Sequence, residues 1–321
     1  AEPGDAVVVV VAGEFGRMLE GVARRTRASV ETFPVEEGRP LDLERLAALL
    51  ARRPPKLVAM VHNETSSGSL YPVADVAALA HDVGALLLVD AVSSVAGIDL
   101  RVDEWGVDVV MAAPHKCLAG PIGLAIVAVN ARAWQCMERR PQRAFSYAYD
   151  LLRWRELWIR ASRGGRLEDG APRRQPVGVP THLTCALGVA AELVLREGLP
   201  ARFRRHAVAG AALRSGLQAL GFRLFPHPSV LSSTVACAEV PDGVDVPALL
   251  ARLREPHGVL ISGGFGKLAS TLVRIGTMGL TASPRYVLPT LSALELALRD
   301  GGHPCPYGDG VAAAQRVFAT G

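Results

Sequence analysis

Four segments of this chain place polar residues directly after a run of apolar ones. They are residues 13–16, 62–68, 90–94 and 113–121. Strands that are buried on both faces read as continuous apolar runs, and an open parallel sheet binds ligands beyond the carboxyl ends of its strands. The four segments are therefore expected to meet at one edge of a sheet and to form the site of any chemistry.

An aspartate and a lysine in these segments are the residue types that a covalently bound cofactor needs. Asp90 follows four apolar residues, and an ionised carboxylate there requires a positive partner or several hydrogen bonds. Taken alone, Asp90 is a helix N-cap and Lys116 is a surface lysine. Together they match the pair that pyridoxal 5'-phosphate (PLP) chemistry requires, in which a lysine carries the cofactor and an aspartate keeps its ring nitrogen protonated.

Longer strings around these residues resemble the class V aminotransferases, in particular the alanine–glyoxylate and serine–pyruvate group. The strings are EPGDAVVVVVAGEFG, VHNETSSG, LLLVDAVSSVAG, PHKCLAGPIGLA and RIGTMG. They cover nearly the whole chain in a consistent order. The resemblance implies a PLP-dependent enzyme of fold type I. Such an enzyme moves an amino group from a small amino acid of the alanine or serine type to a ketoacid such as pyruvate or glyoxylate.

The resemblance also implies a cofactor-binding role for five residues. Lys116 would carry PLP and move the substrate proton, and Asp90 would pair with the ring nitrogen. Val92 and Phe15 would cover the two faces of the ring, and Thr65 would hydrogen-bond its phenolic oxygen. Ordinary core packing is the alternative for Phe15.

Two further roles follow from the resemblance. His115 would contact the phosphate or the ring, although a His-Lys pair resembles the cysteine desulfurase branch and the aminotransferase group usually has glutamine there. A satisfied polar residue at a strand end is the alternative for His115. Arg274 would bind the substrate α-carboxylate, and its apolar neighbours Val273 and Ile275 argue against a surface arginine.

Alternating strand and helix patterns predict an α/β fold with a mostly parallel sheet flanked by helices, followed by a smaller C-terminal α+β domain. We expect the large PLP-binding domain at 1–195 and the small domain at 196–321. Residues 139–180 read as an irregular crossing segment. The resemblance places the family's phosphate-binding turn before residue 1, so we expect an N-terminal segment to be absent here. It also places a partner's phosphate contacts near 173–175, which predicts a symmetric homodimer.

The composition argues against several other classes of protein. The net charge is +4, and short arginine clusters such as 204–205 read as solvated helix faces rather than a nucleic-acid stripe. The apolar run at 6–12 is too short to span a membrane. Five cysteines without a CxxC motif favour a reducing, cytoplasmic compartment and no metal site. Two rival functions stay open: a PLP-dependent lyase such as a cysteine desulfurase, and a non-catalytic homologue with a degraded phosphate site.

Overall fold

The computed structural model describes residues 1–141, 143–144, 146–159 and 175–321 of the chain. In these residues the strands are β1 (Ala6–Val11), β2 (Ser29–Pro34), β3 (Leu57–Val61), β4 (Asn63–Glu64), β5 (Ser69–Leu70), β6 (Leu86–Asp90), β7 (Val109–Ala112), β8 (Ile126–Val129), β9 (Arg223–Leu224), β10 (Val235–Glu239), β11 (Ser262–Gly263) and β12 (Leu272–Gly276). The helices are α1 (Glu14–Arg25), α2 (Leu43–Arg52), α3 (Val73–Asp82), α4 (Ala131–Glu138), α5 (Leu151–Trp154), α6 (Thr181–Glu197), α7 (Leu199–Ala219), α8 (Val246–Arg254), α9 (Pro284–Asp300) and α10 (Asp309–Thr320). A π-helical turn, Arg155–Ile159, continues α5.

The N-terminal half forms a six-stranded sheet in the order β2-β1-β3-β6-β7-β8. Each neighbouring pair is parallel except β7 and β8, which run antiparallel. Strand β1, which lies between β2 and β3, consists of one alanine followed by five valines, and its valines are buried, as expected for a strand covered on both faces. The predicted α/β class with a mostly parallel sheet is confirmed.

The C-terminal half forms an antiparallel sheet in the order β11-β12-β10-β9. Apolar side chains of α7, α8, α9 and α10 pack with this sheet in one core, which includes Leu213, Leu249 and Leu291. The two sheets are linked by buried hydrogen bonds. Asn63 Nδ2 donates to Thr234 Oγ1 at 2.8 Å, and the Ser232 amide donates to the Gly68 carbonyl at 2.9 Å. These bonds hold the ends of the large sheet against β10.

Three local features of the structure have no clear signal in the sequence. The two-residue strand β11 pairs with β12, with Ser262 opposite Arg274. The C-terminal apolar tail folds into α10, whose buried Ala313 and Ala314 pack it onto the protein. The segment after β3 makes the short hairpin β4–β5, which the apolar pattern did not indicate. Among the residues described, no helix has both the length and the apolar character to cross a membrane.

Candidate active site

The predicted site residues lie at the carboxyl-terminal edge of the large sheet. Asp90 is the last residue of β6, and it pairs in register with Val61 at the end of β3. Lys116 follows β7 by four residues. Strands β6 and β7 are parallel neighbours, so Asp90 and the turn that carries Lys116 lie at the same edge of the sheet, because the carboxyl ends of parallel strands share an edge.

The Asp90 side chain is half-buried, and one of its carboxyl oxygens is held by the backbone. Oδ1 accepts a hydrogen bond of 2.9 Å from the Val92 amide. Burial raises the pKa of Asp90, while this bond and the charge of Lys116 lower it. Among the described residues, no donor reaches Oδ2. A cationic N–H group placed there would satisfy the free oxygen and favour the ionised form.

A tight turn after β7 fixes the backbone of Lys116. The Ala119 amide donates to the Lys116 carbonyl at 2.9 Å, and Ala119 has a positive φ of 58°. The following residue, Cys117, is fully buried, and its thiol donates to the Ser93 carbonyl at 3.4 Å. This side-chain anchor joins the lysine turn to the loop that follows Asp90.

Glu64 organises the start of α1, which carries Phe15. Its carboxylate is fully buried and accepts hydrogen bonds from the amides of Gly16 at 3.0 Å and Phe15 at 3.4 Å. The same carboxylate accepts from Ser66 Oγ at 2.5 Å, and Ser66 Oγ in turn accepts from the Glu14 amide at 2.9 Å. Two side chains after β3 therefore satisfy amides at a helix N-terminus, where partial positive charge favours an anion.

Arg274 reaches from the small sheet to the large one. Its Nη1 donates to the Thr65 carbonyl at 3.3 Å, and its Nε donates to the Gly263 carbonyl at 2.8 Å. The guanidinium lies over the ring of Phe265, with 4.1 Å between Cζ and the ring centroid. Phe265 in turn meets Phe15 edge to face, with centroids 6.1 Å apart. Arg274, Thr65 and Phe15 thus belong to one constellation.

A buried polar cluster on α7 ties the lysine turn to the segment that follows β12. Arg202 donates to the carbonyls of Ala96 and Cys117 and pairs with Glu197. His206 is fully buried, and its Nε2 accepts from the Gly279 amide at 3.0 Å. Its Nδ1 therefore carries the hydrogen and donates to the Arg202 carbonyl at 2.8 Å. Burial lowers the pKa of His206 to about 4, which agrees with a neutral ring.

Arg205 belongs to the same cluster, so only Arg204 of the arginine pair at 204–205 lies on a solvated helix face. Arg205 donates to the Gly279 and Ala282 carbonyls and pairs with Glu197 at 2.6 Å, whereas Arg204 is exposed. The sequence interpretation of this pair was wrong for Arg205, because the carbonyls that it reaches lie more than 70 positions along the chain.

The remaining predicted site residues make few bonds to the rest of the site. Val92 is half-buried beside Asp90, and its amide makes the bond to Asp90 described above. His115 is exposed in the turn before Lys116, and no bond joins it to the other site residues in the described part of the chain. The positions 173 and 174 lie outside the described residues. Sequence reasoning missed Glu64, Arg202 and His206, although a glutamate three residues after an apolar strand is itself an unusual signal.

An apolar groove lies away from these residues. It has a volume of about 240 Å³ and is lined by Leu57, Leu86 and Val109 on one face of the large sheet. Asp90 and Lys116 do not line it, so it is no part of the candidate site.

Comparison with known proteins gives the family. The chain matches the model of aminotransferase class V over residues 1–264. It is 33% identical to ureidoglycine–glyoxylate aminotransferase from Bacillus subtilis, whose crystal structure aligns with a TM-score of 0.90 over 99% of this chain and 80% of that chain. It is 32% identical to alanine–glyoxylate aminotransferase of Callithrix jacchus, over 93% of this chain and 70% of that protein. The chain belongs to the class V aminotransferase family and has the fold of type I enzymes. It is an aminotransferase, and the resemblance seen in the sequence is confirmed.

The cysteine desulfurase alternative is not favoured. A cysteine desulfurase from Thermococcus onnurineus aligns with a TM-score of 0.69 at 20% identity, which shows a shared fold alone. Desulfurase chemistry needs a mobile, reactive thiol, and the cysteine beside Lys116 is not one. Burial raises the pKa of the Cys117 thiol to about 12, so it stays protonated and enclosed.

Proposed function

We propose that this chain is a PLP-dependent aminotransferase that carries its cofactor on Lys116. The observation that carries the proposal is that Lys116 lies at the same sheet edge as the strand-end Asp90, which has one unpaired carboxyl oxygen among the described residues. Asp90 Oδ2 would accept a hydrogen bond from the protonated ring nitrogen, Thr65 would bind the phenolic oxygen, and Val92 and Phe15 would cover the ring. His115 remains a candidate for a phosphate or ring contact. The residues present therefore suit this cofactor.

Bound PLP supplies an electron sink for the electrons that remain when a proton leaves the substrate α-carbon. The protein supplies the rest. Lys116 Nζ would take that proton and deliver it to the cofactor, while Asp90 would keep a positive charge on the ring nitrogen. Arg274 binds the substrate carboxylate and so orients the bond that breaks. Its partners at Thr65 and Gly263 hold the guanidinium before any substrate binds, which lowers the ordering cost of binding.

A small amino acid of the alanine or serine type is the proposed donor, with glyoxylate or pyruvate as the acceptor. Two observations support this choice. Phe15 and Phe265 meet beside Arg274, so bulky aromatic walls stand close to the carboxylate site. The relatives include proteins named for glyoxylate as a substrate.

The quaternary state and location complete the proposal. We infer a symmetric homodimer, in keeping with the exposed apolar residues Val189, Leu193 and Leu195 on α6. All five cysteines are free, which suits a reducing cytoplasmic compartment. The division into a large domain at 1–195 and a small one at 196–321 is retained, with its boundary near the end of α6.

The number of lysines makes the cofactor test unusually sharp. The chain has only Lys56, Lys116 and Lys267. We expect the purified protein to absorb visible light with PLP, to lose that band with alanine as donor, and to regain it with glyoxylate. Borohydride should fix the cofactor on Lys116. Lys116→Ala should abolish labelling, whereas Lys56→Ala and Lys267→Ala should keep it. A label on Lys56 or Lys267, or no PLP bound, would refute the assignment.

A further inference from the structure

The turn between β11 and β12 is built to hold one aromatic residue beside Arg274. Its sequence is Gly263-Gly264-Phe265-Gly266-Lys267. A side chain at Gly264 would meet the Leu268 carbonyl at 2.3 Å, so only glycine fits there. Gly266 has a positive φ of 51°, which glycine adopts without strain. The turn therefore has little freedom, and the position of Phe265 is fixed by its backbone.

The ring of Phe265 and two carbonyls surround the guanidinium of Arg274. The Gly263 and Thr65 carbonyls accept from Nε and Nη1, and the ring lies 4.1 Å from Cζ. A guanidinium has more N–H donors than these two bonds use, so a pair remains for a carboxylate. The bonds fix the guanidinium at one edge, while the ring face limits its tilt.

Phe265 is itself braced on the side of the proposed cofactor ring. It meets Phe15 at an interplanar angle of 88°, which is a favourable edge-to-face arrangement. Phe15 sits at the start of α1, where Glu64 holds its amide. A continuous chain of contacts therefore runs from Glu64 through the rings of Phe15 and Phe265 to Arg274.

We propose that Phe265 is a positioning residue that presents Arg274 to the carboxylate and thereby selects amine substrates that carry one. The proposal rests on the proposed role of Arg274 in carboxylate binding. Without the Phe265 ring, Arg274 would keep its charge but sample more orientations. Binding a carboxylate with two hydrogen bonds would then cost more conformational entropy. The loss would fall on ligands with a carboxylate and leave other amines unaffected.

The experiment compares Phe265→Leu, Phe265→Tyr and Arg274→Ala. Leucine keeps apolar bulk but has no ring face, whereas tyrosine keeps the ring. Binding of propionate, a carboxylate without an amine, is measured by calorimetry on the PLP-loaded protein. Reaction with alanine and with ethylamine is followed by the visible absorbance of the cofactor. Far-ultraviolet circular dichroism and thermal unfolding report the folded state.

We expect Phe265→Leu to weaken propionate binding about three- to thirtyfold, the range that a cation–π contact supplies. In Phe265→Leu, KM for alanine should rise while the rate with ethylamine stays within about twofold of wild type. Phe265→Tyr should keep the propionate affinity of the wild type. Arg274→Ala should lower kcat/KM for alanine by two to three orders of magnitude, roughly the effect of removing one partner of a buried ion pair.

Three outcomes would overturn an assignment, and they are distinguishable. Unchanged propionate affinity in Phe265→Leu, beside a loss in Arg274→Ala, would refute the role of Phe265 and leave the carboxylate site intact. If Phe265→Leu slows the reactions with alanine and with ethylamine equally, the Phe265 ring has only a structural role. Unchanged propionate affinity in Arg274→Ala would remove the carboxylate site itself and this inference with it.

Discussion

Loss of the Glu64 carboxylate should strongly lower the free energy of unfolding of this protein. Its carboxylate is fully buried, and it accepts from the amides of Phe15 and Gly16 at the start of α1. Glu64→Ala leaves both amides without an acceptor. An unsatisfied buried donor costs about 1–3 kcal/mol, so two donors predict a loss of about 2–6 kcal/mol in the free energy of unfolding. That is a large share of the roughly 5–15 kcal/mol that stabilises a typical protein.

Glu64→Gln should fall between the wild type and the alanine variant. The amide side chain keeps one acceptor oxygen, so it can satisfy one helix amide and leaves the other facing its own N–H₂ group. We expect a loss of about 1–3 kcal/mol. Burial raises the pKa of Glu64 above its ordinary value, so removal of the charge also removes a desolvation cost, which opposes the loss of the helix-dipole attraction.

Urea unfolding followed by circular dichroism measures these differences, with linear extrapolation to water. Glu36→Gln is the matched control, since Glu36 is exposed and pairs with Arg39 at 3.7 Å. That variant should stay within about 0.5 kcal/mol of wild type. A Glu64→Ala protein less than about 1 kcal/mol below wild type would contradict the reasoning, because it would mean that the helix amides find other acceptors.

Two further expectations concern pH and assembly. Burial holds the pKa of His62 and His206 at about 4, below the ordinary value of 6.5. The unfolded chain therefore binds more protons between these values, and stability should fall as pH drops from 6.5 toward 4. The stability gap between wild type and His206→Phe should narrow over that interval in urea unfolding at several pH values; a constant gap would contradict the assignment. Light scattering at micromolar concentration should give the mass of a dimer. Its interface should bury well above about 2,000 Å², as obligate dimers do. Leu193→Asp on the exposed face of α6 should shift the protein toward monomers, and a monomeric wild type would refute the homodimer.

The strand positions could be predicted from local pattern. The location of Asp90 and Lys116 at one edge of the sheet could be predicted from one general rule. Apolar runs give buried strands, and the carboxyl ends of parallel strands share an edge. The antiparallel direction of β8 has no such signal, since a half-exposed edge strand reads the same in either direction. The resemblance to a family, rather than the pattern, supplied Arg274 and its role.

The supporting residues could not be predicted, because their function depends on distant backbone. Arg202, Arg205 and His206 read as ordinary basic residues of a helix, yet each reaches a carbonyl or an amide in another segment. Phe265 reads as part of a hairpin turn until Arg274 is seen over its ring. A side chain that serves as a partner to remote main-chain atoms leaves no periodicity in its own sequence.

The bond between Arg274 and the Thr65 carbonyl joins residues 209 positions apart. At a synthesis rate of about 5–20 residues per second, roughly 10–40 s separate their appearance on the ribosome. For most of that interval the nascent chain already contains Asp90 and Lys116 but not the arginine proposed to select the substrate. The lysine proposed to react with the cofactor is therefore made before its ligand-selecting partner.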